Sequence, residues 1–106
     1  ISVKRVFTIA DKKPVFAQWF VEIDLTPFLN GETITAIVFS ATDSAGADAT
    51  DTILDSTKNT YTTTMVKPFI RGGVPGEKYK VKMQITTASA AQTKDEFYLL
   101  VTVGDY

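Results

Sequence analysis

The chain has 106 residues, 44% hydrophobic and 22% charged, with a formal net charge of -1 and neither His nor Cys. That length makes one domain, residues 1–106, able to bury about two-thirds of its unfolded surface without staples. The charge balance argues against nucleic acid as a partner, which calls for a basic excess, and no apolar run reaches the ~18 residues of a membrane-spanning helix.

Alternation runs through the chain while helical spacing is almost absent. Ser2 to Ala10 reads as a first strand, with Val3, Arg5, Phe7 and Ile9 on one side and Val6 on the other, and Asp11-Lys12-Lys13-Pro14 breaks it. Phe16 to Leu25 is the second, with Trp19, Val21, Ile23 and Leu25 on the buried face. Thr26 to Gly31 then makes a single helical turn: Thr26 caps, Pro27 suits the first position, Gly31 suits a left-handed stop, and Phe28 and Leu29 plug one end of the core. Thr33 to Ala41 is a third strand, apolar on both faces. A loop from Thr42 leads to a short strand near Thr52 to Leu54, and the Thr-rich Tyr61 to Lys67 forms another before Pro68.

The glycine-rich turn Arg71-Gly72-Gly73-Val74-Pro75-Gly76-Glu77 feeds a strand over Lys78–Thr87, in which Tyr79, Val81, Met83 and Ile85 alternate with Lys78, Lys80, Lys82 and Gln84. A turn, then Tyr, then a long amphipathic strand is the layout of a tyrosine corner, in which the Tyr79 hydroxyl bonds backbone a few residues upstream. A turn around Ala88 to Gln92 and a last strand from Thr93 to Val103, with Phe97, Leu99, Val101 and Val103 on one face, complete the chain. Seven short strands separated by turn signals predict an all-β fold, a single immunoglobulin-like Greek-key sandwich. Trp19, Gly72, Gly73, Gly76 and Tyr79 are its expected structural residues.

Absences prune the chemistry. Without His or Cys there is no Ser-His-Asp triad, no thiolate nucleophile, no usual zinc site and no disulfide. Nucleotide-binding glycine motifs are missing as well, so no cofactor, catalytic residue or metal ligand is assigned. The acidic group Asp43, Asp48, Asp51 and Asp55 reads as a solvated loop, with a calcium site as the sharper alternative; its spacing does not match an EF-hand. Two surface features remain. Lys78, Lys80 and Lys82 form an outward row, joined in sequence by Lys67 and Arg71; as a polyanion stripe it would need aromatic interleaving or more basic neighbours, and lysines on an exposed strand also serve solubility. Tyr98 and Leu100 point outward from the last strand, and the third strand turns out either Ile34, Ala36 and Val38 or Ile37 and Phe39 beside them. Ile37, Phe39, Tyr98 and Leu100 are therefore the candidate interface on an apolar outer sheet face.

Two segments carry a family resemblance: Glu22-Ile23-Asp24-Leu25-Thr26-Pro27-Phe28-Leu29-Asn30-Gly31-Glu32-Thr33-Ile34-Thr35 and Arg71-Gly72-Gly73-Val74-Pro75-Gly76-Glu77-Lys78-Tyr79-Lys80-Val81, closed by Ile85-Thr86-Thr87-Ala88 and a terminal strand. Over about Phe16 to Val103 the chain resembles small tailed-bacteriophage and prophage proteins of fibre-to-tail adaptor type. It departs from them at Leu25, where Trp is common, and in the longer, more acidic Thr42–Asn59 region. The resemblance implies a non-enzymatic virion structural protein with a single immunoglobulin-like domain, assembled in the bacterial host cytoplasm and partnered by other virion proteins or by itself. The alternative is a cell-surface or periplasmic module for adhesion or glycan binding, with Tyr61, Tyr98 and Tyr106 as its aromatic platform.

Overall fold

A computed structural model describes residues 6–8, 12–29, 31–88 and 94–104. The described chain is mostly β. In order it runs β1 (Val6–Thr8), β2 (Trp19–Phe20), β3 (Ile23–Asp24), α1 (Thr26–Leu29), β4 (Ile34–Asp43), α2 (Thr50–Ile53), β5 (Thr60–Tyr61), β6 (Met65–Lys67), β7 (Phe69–Ile70), β8 (Lys78–Thr87) and β9 (Lys94–Thr102). One sheet has the order β1-β9-β8-β4, with β1 parallel to β9 and the other pairs antiparallel. The remaining strands pair as β2-β7 and β3-β6-β5. Val21 N–H donates to the Pro68 carbonyl at 2.9 Å between those two pairings, so they form one ladder interrupted where Pro68 offers no N–H. Buried side chains from both sets meet in a single core.

The long strands obey their sequence pattern. In β8, Tyr79, Val81, Met83 and Ile85 are buried, while Lys78, Lys80 and Gln84 are exposed; in β9, Phe97, Leu99 and Val101 are buried. Phe28 of α1 closes on the core ring of Phe97 at 5.0 Å between centroids, with Phe7 of β1 edge-on to Phe28 at 6.1 Å. Trp19 is half-buried against the same core. Of the expected first strand, Val3, Arg5 and Ile9 lie outside the described residues, as does most of the turn around Ala88 to Gln92.

Three local expectations need correction. Tyr61 to Lys67 is not one strand but the hairpin β5-β6: Thr62 N–H donates to the Met65 carbonyl at 2.8 Å, and the Thr62 hydroxyl accepts the Met65 N–H at 3.1 Å. Threonine favours strands, yet its hydroxyl also ties up neighbouring backbone and makes turns, and here that second tendency prevails. The expected strand near Thr52 to Leu54 is the helical turn α2, ended by Leu54 in extended geometry. Ile53 and Leu54 are both wholly buried, whereas consecutive residues of a strand with one solvent-facing side alternate between buried and exposed. At α1, Thr26 does not cap; Asp24 Oδ1 accepts both the Thr26 N–H (2.9 Å) and its hydroxyl (2.6 Å).

The glycine-rich segment closes one end of the core. Gly72, Gly73 and Gly76 have φ of 55°, 96° and 80°, in the left-handed region that side chains disfavour. The buried Tyr79 hydroxyl accepts the Val74 N–H at 2.8 Å, five residues upstream, and Gly76 N–H reaches the Val103 carbonyl at 3.0 Å. Beside them sits a residue the sequence pattern did not single out. Lys13 is fully buried, and its ammonium donates to the carbonyls of Pro14 (2.8 Å), Val15 (3.2 Å) and Gly72 (2.8 Å). Burial pulls its pKa below the ordinary 10.5, while three carbonyl acceptors meet every ammonium proton.

Candidate interaction surface

The outer face of the four-stranded sheet follows from the register. Across β4, β8, β9 and β1 the outward positions line up as Val38, Gln84 and Glu96; then Ser40, Lys82, Tyr98 and Val6; then Thr42, Lys80, Leu100 and Thr8. Tyr98 and Leu100 thus lie on this face, with Leu100 exposed. Ile37 and Phe39 do not join them. A register shift between Ile34 and Ala36 turns Ile34 inward and then, one residue out of phase, Ile37, Phe39 and Ala41 inward as well. A single inserted residue reverses the facing of everything beyond it. The outward apolar residue of β4 is instead Val38, 59% exposed.

The expected apolar sheet face is therefore a polar band with apolar points at its margins. Gln84 Nε2 donates to Glu96 Oε1 at 2.8 Å, the Tyr98 hydroxyl donates to Glu96 Oε2, and the Lys80 ammonium stands 5.5 Å from the Tyr98 ring centre. The Tyr98 and Gln84 hydrogen bonds hold the Glu96 carboxyl below its ordinary 4.5, and the same bond to Glu96 pushes the Tyr98 phenol above 10.0. A shallow depression of about 530 Å3 beside Val38, Gln84, Lys94 and Glu96, and another of about 390 Å3 beside Lys78, Lys80, Leu100 and Thr102, flank this network. Lys67 and Arg71 do not extend the lysine row. They belong to the other side of the molecule, where Lys67 approaches Glu22 at 3.8 Å and Arg71 approaches Asp55 at 3.7 Å.

β4 is an edge strand among the described residues, and its ends are covered. Ala49 N–H donates to the Ala41 carbonyl and Asp43 N–H to Ala47 at one end; the Tyr61 hydroxyl donates to the Thr35 carbonyl at 3.0 Å at the other. Between these covers, half-buried Ile37 and Phe39 open onto a hollow of about 350 Å3 shared with Ser56, Asn59, Thr60 and Tyr61. The tyrosines expected as one platform are separated: Tyr61 borders this hollow, Tyr98 stands on the outer sheet face, and Tyr106 lies outside the described residues.

Three of the four carboxylates of the acidic segment, Asp43, Asp48 and Asp55, are tied to nearby backbone. Asp48 Oδ1 accepts the Thr50 N–H (3.1 Å) and hydroxyl (2.7 Å), Asp55 Oδ1 does the same with Thr57 (3.0 and 2.6 Å), and Asp43 Oδ1 accepts the N–H groups of Ala45 and Ala47. The threonine bonds keep Asp48 and Asp55 below the ordinary 3.8. Asp-x-Thr, repeated at Asp24, Asp48 and Asp55, is a turn device whose spacing was readable in the sequence. Among the described residues no three acidic side chains gather where they could hold a metal ion.

Neither curated proteins nor solved structures give a match to the chain. Residues 13–100, running from the buried Lys13 to the outward Leu100, match the family model described as podophage GP4 fiber-tail adaptor protein gp77, and the chain belongs to that family.

Proposed function

We propose that this chain is a non-enzymatic structural component of a phage virion, acting at the fibre–tail junction by protein–protein assembly. The family match over residues 13–100 carries this reading. We further read the fold as an immunoglobulin-like Greek-key sandwich. The sheet order β1-β9-β8-β4 against β2/β3-β6/β7-β5, with β1 parallel to β9, supports that assignment, and the bond from Val74 N–H to the Tyr79 hydroxyl supports a tyrosine corner.

The proposed docking face is the outer side of the four-stranded sheet, with Val38, Tyr98 and Leu100 as contact residues and Lys78, Lys80 and Lys82 as the charged band that orients a partner. Complementary charge acts mainly on orientation and encounter rate, while the buried apolar contacts hold the complex. Its occupants are other virion proteins, met during assembly in the host cytoplasm. The test is binding to purified tail and fibre proteins of the same phage by wild type and by a Val38→Lys/Leu100→Lys double variant. Both positions are exposed, so the variant should fold normally and bind at least ~10-fold more weakly. Equal binding by variant and wild type would remove this face from the reading, and binding to neither protein would remove the adaptor role.

A further inference from the structure

The tip of the segment before β2 displays an aromatic ring where an isolated protein gains nothing from one. Ala17 N–H donates to the Pro14 carbonyl at 3.1 Å, making Val15 and Phe16 the corners of a tight turn, and Phe16 is 95% exposed. That turn is bolted down. The Lys13 ammonium donates to two of its carbonyls, Pro14 and Val15, and with its third proton to Gly72 of the glycine-rich segment. The Lys13 backbone is tied at both ends to the close of the chain, its N–H to the Thr102 carbonyl and its own carbonyl to the Gly104 N–H, each at 2.8 Å. Burying an ammonium is costly unless its protons are all taken up. Here the three carbonyls satisfy the charge and at the same time stiffen the turn that carries Phe16.

A rigid, fully displayed aromatic residue has the properties of an interface anchor, since the entropy of ordering its backbone is spent before the partner arrives. The same chain carries a receptor of matching character. The hollow between the middle of β4 and β5 has Ile37 and Phe39 as its apolar part and Ser56, Asn59, Thr60 and Tyr61 around them, with no charged side chain among the described residues of its lining. The segment Pro14-Val15-Phe16-Ala17-Gln18-Trp19 that would meet it is uncharged as well. Its volume of about 350 Å3 leaves room for a phenyl ring. We propose that Phe16 of one copy inserts into the Ile37–Phe39–Tyr61 hollow of a second copy. Because knob and hollow are different patches of one chain, the contact is head-to-tail, the kind that propagates into a ring or a filament. This contact of the chain with itself goes beyond the adaptor reading and uses neither Val38 nor Leu100, so either can fail alone.

The experiment is sedimentation equilibrium and light scattering on the full chain up to about 1 mM, comparing wild type, Phe16→Ala and Ser56→Arg. Both substituted residues are exposed, and thermal melting close to wild type checks that each variant folds. Wild type should self-associate with rising concentration, and each variant should weaken association at least ~30-fold. An equimolar mixture of the two variants should stop at a dimer, because Ser56→Arg keeps the knob and Phe16→Ala keeps the hollow. A wild type that stays monomeric would overturn the proposal, as would Phe16→Ala associating like wild type or a variant mixture that forms no dimer. A monomeric wild type that binds another virion protein through Phe16 would also overturn it, in favour of that protein as the occupant.

Discussion

Replacing Gly73 with alanine puts the closure of the core to a quantitative test. Gly73 has φ of 96°, and a Cβ built there would lie 2.7 Å from Val103 Cγ2, 3.2 Å from Ile53 Cδ1 and 3.3 Å from Tyr79 Cε2. Two costs follow. A left-handed backbone costs an L-residue about 1–2 kcal/mol, and forcing a methyl group into a filled core costs about 1–3 kcal/mol through displaced side chains. The sum, about 2–5 kcal/mol, is a large part of the stability of a domain this size. At roughly 4–5 °C per kcal/mol it lowers Tm by about 8–25 °C. Gly46 supplies the control, since its φ of 85° is similar but no atom lies within 4 Å of the added Cβ. Gly46→Ala should therefore lose only the backbone term. Urea unfolding followed by circular dichroism and Trp19 fluorescence measures both, and the difference between them isolates the packing of Gly73 against Val103, Ile53 and Tyr79. Equal losses in the two variants would refute the close approach.

Further substitutions probe single bonds. Tyr79→Phe deletes the acceptor of the Val74 N–H and should cost about 1–3 kcal/mol in unfolding free energy; an unchanged urea midpoint would mean that the hydroxyl holds nothing. Thr50→Val removes the hydroxyl that accepts the N–H of buried Ala41 at 3.0 Å, with a similar expected loss of about 1–3 kcal/mol, whereas Thr57→Val on the exposed Asp55 turn should lose less, and the reverse order would sink this account. The pH dependence has a fixed sign. The Thr57 hydroxyl holds Asp55 below 3.8 in the folded chain, so its stabilisation is present above that value and fades as the pH falls through and below it. An NMR titration should place Asp55 below 3.8 in wild type and nearer to it in Thr57→Val, and an Asp55 that titrates alike in both would contradict the assigned cause.

The sequence by itself determined what depends on period and on local backbone geometry. Alternation from Tyr79 to Ile85 names the buried face of β8 because a pleated strand turns successive side chains to opposite sides. The glycines at 72, 73 and 76 occupy left-handed positions, and Gly31, with φ of 84°, follows α1 as its stop. The two-segment resemblance also pointed to the family that the match over residues 13–100 shows. Asp-x-Thr at residues 48–50 and 55–57 is equally local, since each Asp reaches the backbone two residues on.

Tertiary structure decided what depends on contacts across the chain. Ile37 and Phe39 alternate as well as any strand, but the direction they face hangs on the one-residue register shift between β4 and β8, which has no local marker. Threonines 62 to 64 have the propensity of a strand and form a turn because β5 and β6 pair with each other. Lys13, one of two adjacent lysines before a proline, looks like a solvated charge in sequence. It becomes a buried clamp only when Gly72, 59 residues away, brings its carbonyl within 2.8 Å of the ammonium, and with it comes the fixed display of Phe16.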